Sequence, residues 1–122
     1  MGTTEMILTT DYNDENKLII VRKSGVSFIR LESIIFMETS QRCTRIITNT
    51  EDYYTHQSLK DIGRELPDEF FRAHKSYIVN MHQIKDIELF ANCTFSVEFY
   101  GSSEKAYMTK KRLEEMLTKW RD

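Results

Sequence analysis

Between Phe70 and Asn80 the chain reads Phe-Phe-Arg-Ala-His-Lys-Ser-Tyr-Ile-Val-Asn. Arg72, His74, Lys75 and Ser76 supply polar groups, and apolar residues bracket them. Such a segment can be anchored at both ends in a core while its middle stays at the surface. Arg72 offers a planar fork of donors, Lys75 a point charge, and His74 and Ser76 neutral donors. That set suits phosphate oxygens and base edges. The same stretch also fits an ordinary strand-to-loop transition with solvated charges.

Two further basic groups stand out. Arg42 and Arg45 lie in a polar stretch after an apolar run, and Lys110, Lys111 and Arg112 open a C-terminal amphipathic segment. If that segment is helical, the three cations oppose its dipole at a cost of roughly 0.3–1 kcal/mol. A bound anion would relieve the cost, although a solvated basic turn fits as well. The formal net charge is −2, so total charge does not point to nucleic acid. Its distribution is compatible with a DNA-binding face and equally with ordinary solubility: acidic residues gather at Asp11, Asp14, Glu15 and between Asp61 and Glu69, and basic ones at Arg42 and Arg45, Arg72–Lys75 and Lys105–Arg112.

Other chemistries find little support. His74 and Ser76 come with no nucleophile elbow, and four glycines include no phosphate loop. His56, His74 and His82 lack metal-ligand spacing, and Cys43 and Cys93 form no CxxC pair. Neither an enzyme, a metal site, a cofactor nor a small-molecule substrate is expected. No apolar run approaches a membrane span and the N-terminus does not resemble a signal peptide. The expected location is the cytoplasm, with both cysteines as reduced thiols.

The 122 residues suit one domain, and 40% hydrophobic with 30% charged residues is ordinary for a globular one. Residues 1–16 read as a flexible lead-in and 17–122 as the domain. Lys17–Lys23 and Val26–Arg30 read as a hairpin turned at Ser24-Gly25. Ile34–Glu38, Cys43–Asn49 and Tyr53–His56 read as strands, with Thr39–Arg42 a loop. Ser58 starts a helix striped by Leu59, Ile62 and Leu66 and ended by Pro67. Ile84–Phe90, Thr94–Tyr100 and Lys105–Met108 are further strands, with turns at Ala91–Cys93 and Gly101–Ser103. Thr109 caps a second helix whose Leu113, Met116, Leu117 and Trp120 share one face. The result is about eight to ten short strands and two short helices, mainly β and antiparallel.

Phe70–Asn80 resembles the signature of the LytTR DNA-binding domain. Ile34–Glu38 is similar to that family's apolar strand ending in an acidic residue. Ser58–Pro67 is similar to its short helix and proline, and Tyr107–Leu113 to its last strand entering the C-terminal helix. The resemblance covers roughly Leu18 to Trp120. It implies an elongated stack of antiparallel β-sheets whose loops enter successive major grooves of bent double-stranded DNA. It implies a bacterial transcription regulator of the two-component type, with two copies on paired direct repeats. Too few residues precede Leu18 to hold a receiver domain, so the chain reads as a free-standing regulator or a piece of a larger one.

Carried over residue by residue, three loops would meet DNA: Ser40–Arg45, Arg72–Ser76 and Thr109–Arg112. Thr44, Lys75 and Lys111 fall at base-facing positions, where some members carry histidine, asparagine and arginine. The target sequence therefore does not transfer. Arg42, Arg45, Arg72, Lys110 and Arg112 would add positive surface. His74 could bond a phosphate or orient its loop from beneath, and its inward alternation favours the second. Asn80 reads as loop-fixing, and Phe70, Phe71 and Tyr77 as core. The rival reading is a protein-interaction module on a β-scaffold. RNA binding is weaker, since no aromatic RNA-binding motif occurs.

Overall fold

The computed structural model describes residues 5–10 and 16–121. Among them lie eleven strands and two α-helices, in the order β1 (Glu5–Thr10), β2 (Asn16–Arg22), β3 (Gly25–Arg30), β4 (Ile34–Ser40), β5 (Cys43–Thr48), β6 (Asp52–Thr55), α1 (Leu59–Glu65), β7 (Phe70–His74), β8 (Tyr77–Asn80), β9 (Ile84–Ala91), β10 (Thr94–Phe99), β11 (Ser102–Thr109) and α2 (Lys110–Arg121). Single 3-10 turns at Leu31–Ser33 and Met81–Gln83 enter β4 and β9.

The strands form three antiparallel sheets: β1-β2-β3, β6-β5-β4-β8-β7 and β11-β10-β9. The five-stranded sheet is the middle layer, and both of its faces are buried. On one face Ile34, Met37, Ile46 and Ile78 share a core with Leu18, Ile20 and Ile29 of the first sheet and Leu59 and Ile62 of α1. On the other, Ile35, Phe36, Ile47 and Val79 pack with Val97, Phe99, Ala106 and Met108 of the third sheet and Met116 of α2. Strands buried on both sides need apolar residues at consecutive positions, which is why Ile34–Met37 and Ile78–Val79 read as continuous runs. In β4 the register against β5 shifts between Ile34 and Phe36. The shift lets the neighbours Ile35 and Phe36 both reach the second core.

Local chemistry sets the element ends. Ser58 Oγ accepts from the Asp61 backbone N–H at 3.2 Å, capping α1. The Phe70 N–H bonds the Pro67 carbonyl at 3.0 Å and delivers the chain into β7. At Gly101 a Cβ would stand 2.9 Å from Ile35 Cδ1, so a larger residue in the turn before β11 would push on that buried side chain.

Several elements depart from the sequence reading. Glu5–Thr10 pairs with β2 as a strand, where a flexible lead-in is expected; the other lead-in positions before Asn16 lie outside the described residues. Its Met6-Ile7-Leu8 run has strand character that the surrounding polar residues obscure. β4 continues to Ser40 and β11 begins at Ser102, so the loops there are shorter than expected. The apolar face of α2 divides. Met116 is buried and Leu113 half-buried, but Leu117 and Trp120 are exposed, with the Trp120 ring 6.2 Å from His82.

Candidate nucleic-acid interface

Two turns share one end of the middle sheet. The β4–β5 turn is Gln41-Arg42, and Gln41 takes a left-handed φ of 54°. The β7–β8 turn is Lys75-Ser76. Because β4 pairs with β8, Glu38 faces Tyr77, and the Thr39 N–H donates to the Ser76 carbonyl at 3.0 Å. The two turns are therefore neighbours by strand register.

The third group sits at the end of the third sheet. Thr109 closes β11 opposite Thr94, and Thr109 Oγ1 accepts from the Arg112 N–H at 3.1 Å, capping α2. The Lys110 N–H donates to the Cys93 carbonyl at 2.8 Å, which ties the start of α2 to the β9–β10 turn. A groove of about 570 Å³ lies there, lined by Cys93, Thr94, Thr109, Lys110, Lys111 and Glu114. The Tyr77 and Tyr107 rings, 5.9 Å apart, connect β8 to β11. Arg72 lies close enough to Arg112 to feel its charge: burial first, then Arg112, holds the Arg72 pKa below its usual value. The third group thus lies on the side of the β7–β8 turn.

Arg42, Lys75, Lys110, Lys111 and Arg112 are exposed. Among the described residues the first four make no ion pair, and Arg112 pairs at the surface with Glu115 at 3.1 Å. Arg72 is half-buried and faces its own turn. Its Nε donates to the His74 carbonyl at 2.9 Å and its Nη2 to the Lys75 carbonyl at 2.6 Å. These bonds occupy two of five guanidinium donors. His74 Nδ1 accepts the Ser76 backbone N–H at 3.1 Å, so the neutral ring carries its proton on Nε2. Burial, then the charges of Lys75 and Arg72, push the His74 pKa below its ordinary value and keep the ring neutral. The orienting role read for His74 matches this geometry. So does the loop-fixing role of buried Asn80, whose Nδ2 donates to the Ile34 carbonyl and whose Oδ1 accepts from the His82 N–H.

Thr44 and Arg45 lie in the strand read at Cys43–Asn49, not in the DNA-facing loop Ser40–Arg45 that the family resemblance implies. The loop is only Gln41-Arg42, so both residues already belong to β5. Thr44 is 2% exposed and its hydroxyl donates to the Gln57 carbonyl at 2.7 Å. Arg45 is held by three carboxylates: Glu38 at 2.9 Å, Asp52 at 2.6 Å and Glu104 at 2.7 Å. The Glu104 hydrogen bond is the largest influence raising the Arg45 pKa, with Asp52 and Glu38 also contributing against burial. The Arg45 bond in turn holds the Glu104 carboxyl below its ordinary range. Nothing in the sequence singles out Glu104, because its separation of 59 residues from Arg45 leaves no local signal.

This is a three-sheet antiparallel scaffold that presents short cationic turns. Residues 24–121 match the family described as the LytTr DNA-binding domain, and the chain belongs to that family. It is 37% identical over 106 residues to the transcriptional regulatory protein NatR of Bacillus subtilis, covering 86% of this chain and 46% of that protein. It is 29% identical over 87 residues to accessory gene regulator protein A of Staphylococcus aureus, covering 70% of this chain and 36% of the relative. The chain thus spans less than half the length of these relatives. Its fold matches the LytTr DNA-binding domain of a putative methyl-accepting/DNA response regulator from Bacillus cereus, with a TM-score of 0.72 at 19% identity over 84% of this chain and 94% of the other.

Proposed function

We propose that this domain binds double-stranded DNA in a sequence-specific manner and serves as the DNA-reading part of a bacterial transcription regulator. The observation that carries the reading is the backbone-bonded pair of turns bearing exposed Arg42 and Lys75, with Lys110–Arg112 on the side of the second, while Arg45 is held by three carboxylates. Family membership supports it, as do relatives named as regulators.

In this reading Lys75 and Lys111 approach base edges, where guanine acceptors suit a lysine. Arg42, Lys110 and Arg112 neutralise phosphates, with Arg72, His74 and Ser76 shaping the middle turn and offering it further donors. Thr44 and Arg45 act from beneath by fixing β5. Two copies engage paired direct repeats, each setting its turns into successive major grooves. No covalent step is involved.

Selection of binding sites from random duplex, followed by gel-shift titration, tests the reading. A recovered consensus bound far more tightly than random DNA is expected. With about five phosphates neutralised, log K should fall with log[salt] at a slope of roughly −4 to −5. A protein-interaction module would instead give no consensus and no length-dependent affinity for DNA.

A further inference from the structure

Beside the three turns lies a fourth element, the β9–β10 hairpin tip. Ala91 pairs with Thr94 and Leu89 with Phe95, so Phe90 is the extra residue of a β-bulge and has no partner across the ladder. A bulge re-aims the side chain it carries. Here it sets the Phe90 ring against Tyr107, with centroids 5.1 Å apart. Tyr107 adjoins Tyr77 at 5.9 Å, and Tyr77 adjoins His74 at 5.8 Å. Four rings thus run in a row from the middle turn, beside Lys75, to the hairpin tip, beside Lys110. At the far end Phe90 is 62% exposed. Asn92 turns the tip with a left-handed φ of 40°, and the Cys93–Lys110 backbone bond holds it against α2.

We propose that Phe90 is a further DNA-contacting residue, packing its ring on apolar atoms of the duplex, either thymine methyl groups or deoxyribose carbons. The inference rests on the DNA-binding reading above. An exposed phenyl ring costs solvation unless something covers it, and its setting selects the cover. Lys110 and Lys111 are exposed beside the tip, and Lys75 lies at the other end of the ring row. A purely apolar partner would leave those cations unmatched. Duplex DNA offers phosphates for the lysines and methyl or sugar surface for the ring, and phenylalanine is among the side chains that meet thymine methyls. The bulge and the Tyr107 packing hold the ring in place, so binding has little side-chain freedom left to remove.

The test is gel-shift titration of wild-type protein and Phe90→Ala on the selected duplex, on random duplex, and on duplexes with each thymine replaced singly by deoxyuridine. Phe90→Ala should weaken cognate binding about tenfold, with an unchanged salt slope because no charge is removed. If the ring meets a methyl, one deoxyuridine position should weaken wild type by a similar factor and leave Phe90→Ala unaffected. If it meets sugar, no thymine position will separate the two proteins, although the alanine effect persists. Equal cognate affinity of the two proteins overturns the proposal while leaving the domain's DNA binding intact. Loss confined to cooperativity on paired sites, with single-site affinity unchanged, also overturns it and marks an interface between copies. If wild type binds no duplex selectively, the broader reading falls as well. Because Phe90 is exposed, an unchanged melting temperature should accompany the alanine variant.

Discussion

Arg45 and Glu104 form a two-pronged ion pair, Nη1 to Oε1 at 2.8 Å and Nη2 to Oε2 at 2.7 Å, between β5 of the middle sheet and β11 of the third. The pair clasps the two layers. It also explains why a basic residue beside the first turn is not part of the exposed charge.

Arg45→Ala should therefore lower stability and leave DNA electrostatics alone. The substitution leaves Glu38, Asp52 and Glu104 facing one another without their cation. Solvent reaches all three, so the cost is about 1–2 kcal/mol, below that of a buried pair. The measured salt slope for DNA should be unchanged. Were Arg45 bound to a phosphate, its removal would instead reduce the slope by about one.

The clasp also predicts a dependence on acid. Arg45 holds the folded-state pKa of Glu104 below its ordinary value. The stabilisation is then fully present above the unfolded value of about 4.3 and is lost as pH falls through the lower folded value. Thermal melts of wild type and Glu104→Gln should differ at neutral pH and converge as pH drops below about 4.

His74 gives a second pH signature in a different window. Its folded pKa is lowered by burial and by Lys75 and Arg72. Stability from this neutral ring is present above the unfolded value of about 6.5 and declines as pH falls from there towards the folded value. A proton NMR titration of the ring should give a midpoint below about 6.5. Protonation should also break the Ser76 N–H to Nδ1 bond and speed exchange of that amide.

Lys75→Ala and Lys111→Ala should each weaken cognate binding by about 1–3 kcal/mol if they reach base edges. Unchanged cognate affinity in both would remove the second and third turns from the interface. Thr44→Val should behave differently. Its hydroxyl is spent on the Gln57 carbonyl, so about 1 kcal/mol of stability should go with no change in base preference.

Asn80→Ala should be the most damaging of these substitutions. It leaves the Ile34 carbonyl without its donor in a site only 2% exposed at Asn80, and frees the His82 N–H. A loss of about 2–3 kcal/mol is expected in denaturant titration.

Much of the fold is readable from the chain itself. Period-2 alternation, paired turn residues, Ser58 and Pro67 place most strands and the first helix correctly. The signature around Lys75 marks the middle turn. Where a loop stops is not readable in the same way. Placing Thr44 and Arg45 in a DNA-facing loop exposes them, but within β5, which starts at Cys43 as read, one turns inward and the other meets Glu104. That choice is made by pairing across the sheet and by a carboxylate far along the chain. Both are tertiary facts with no trace in local composition. The Phe90 bulge is hidden for the same reason, since a bulge is a property of two strands together.

The backbone bond between Thr39 and Ser76 makes the first two turns a rigid caliper. Their separation is fixed by ladder register, and a register slip would throw every side chain to the opposite face. Among the described residues no backbone bond joins the helix end to these two turns, so it can adjust without breaking a ladder. If the domain reads DNA through these turns, its target should accordingly tolerate altered spacing on the Lys111 side far better than between the contacts made by Arg42 and Lys75.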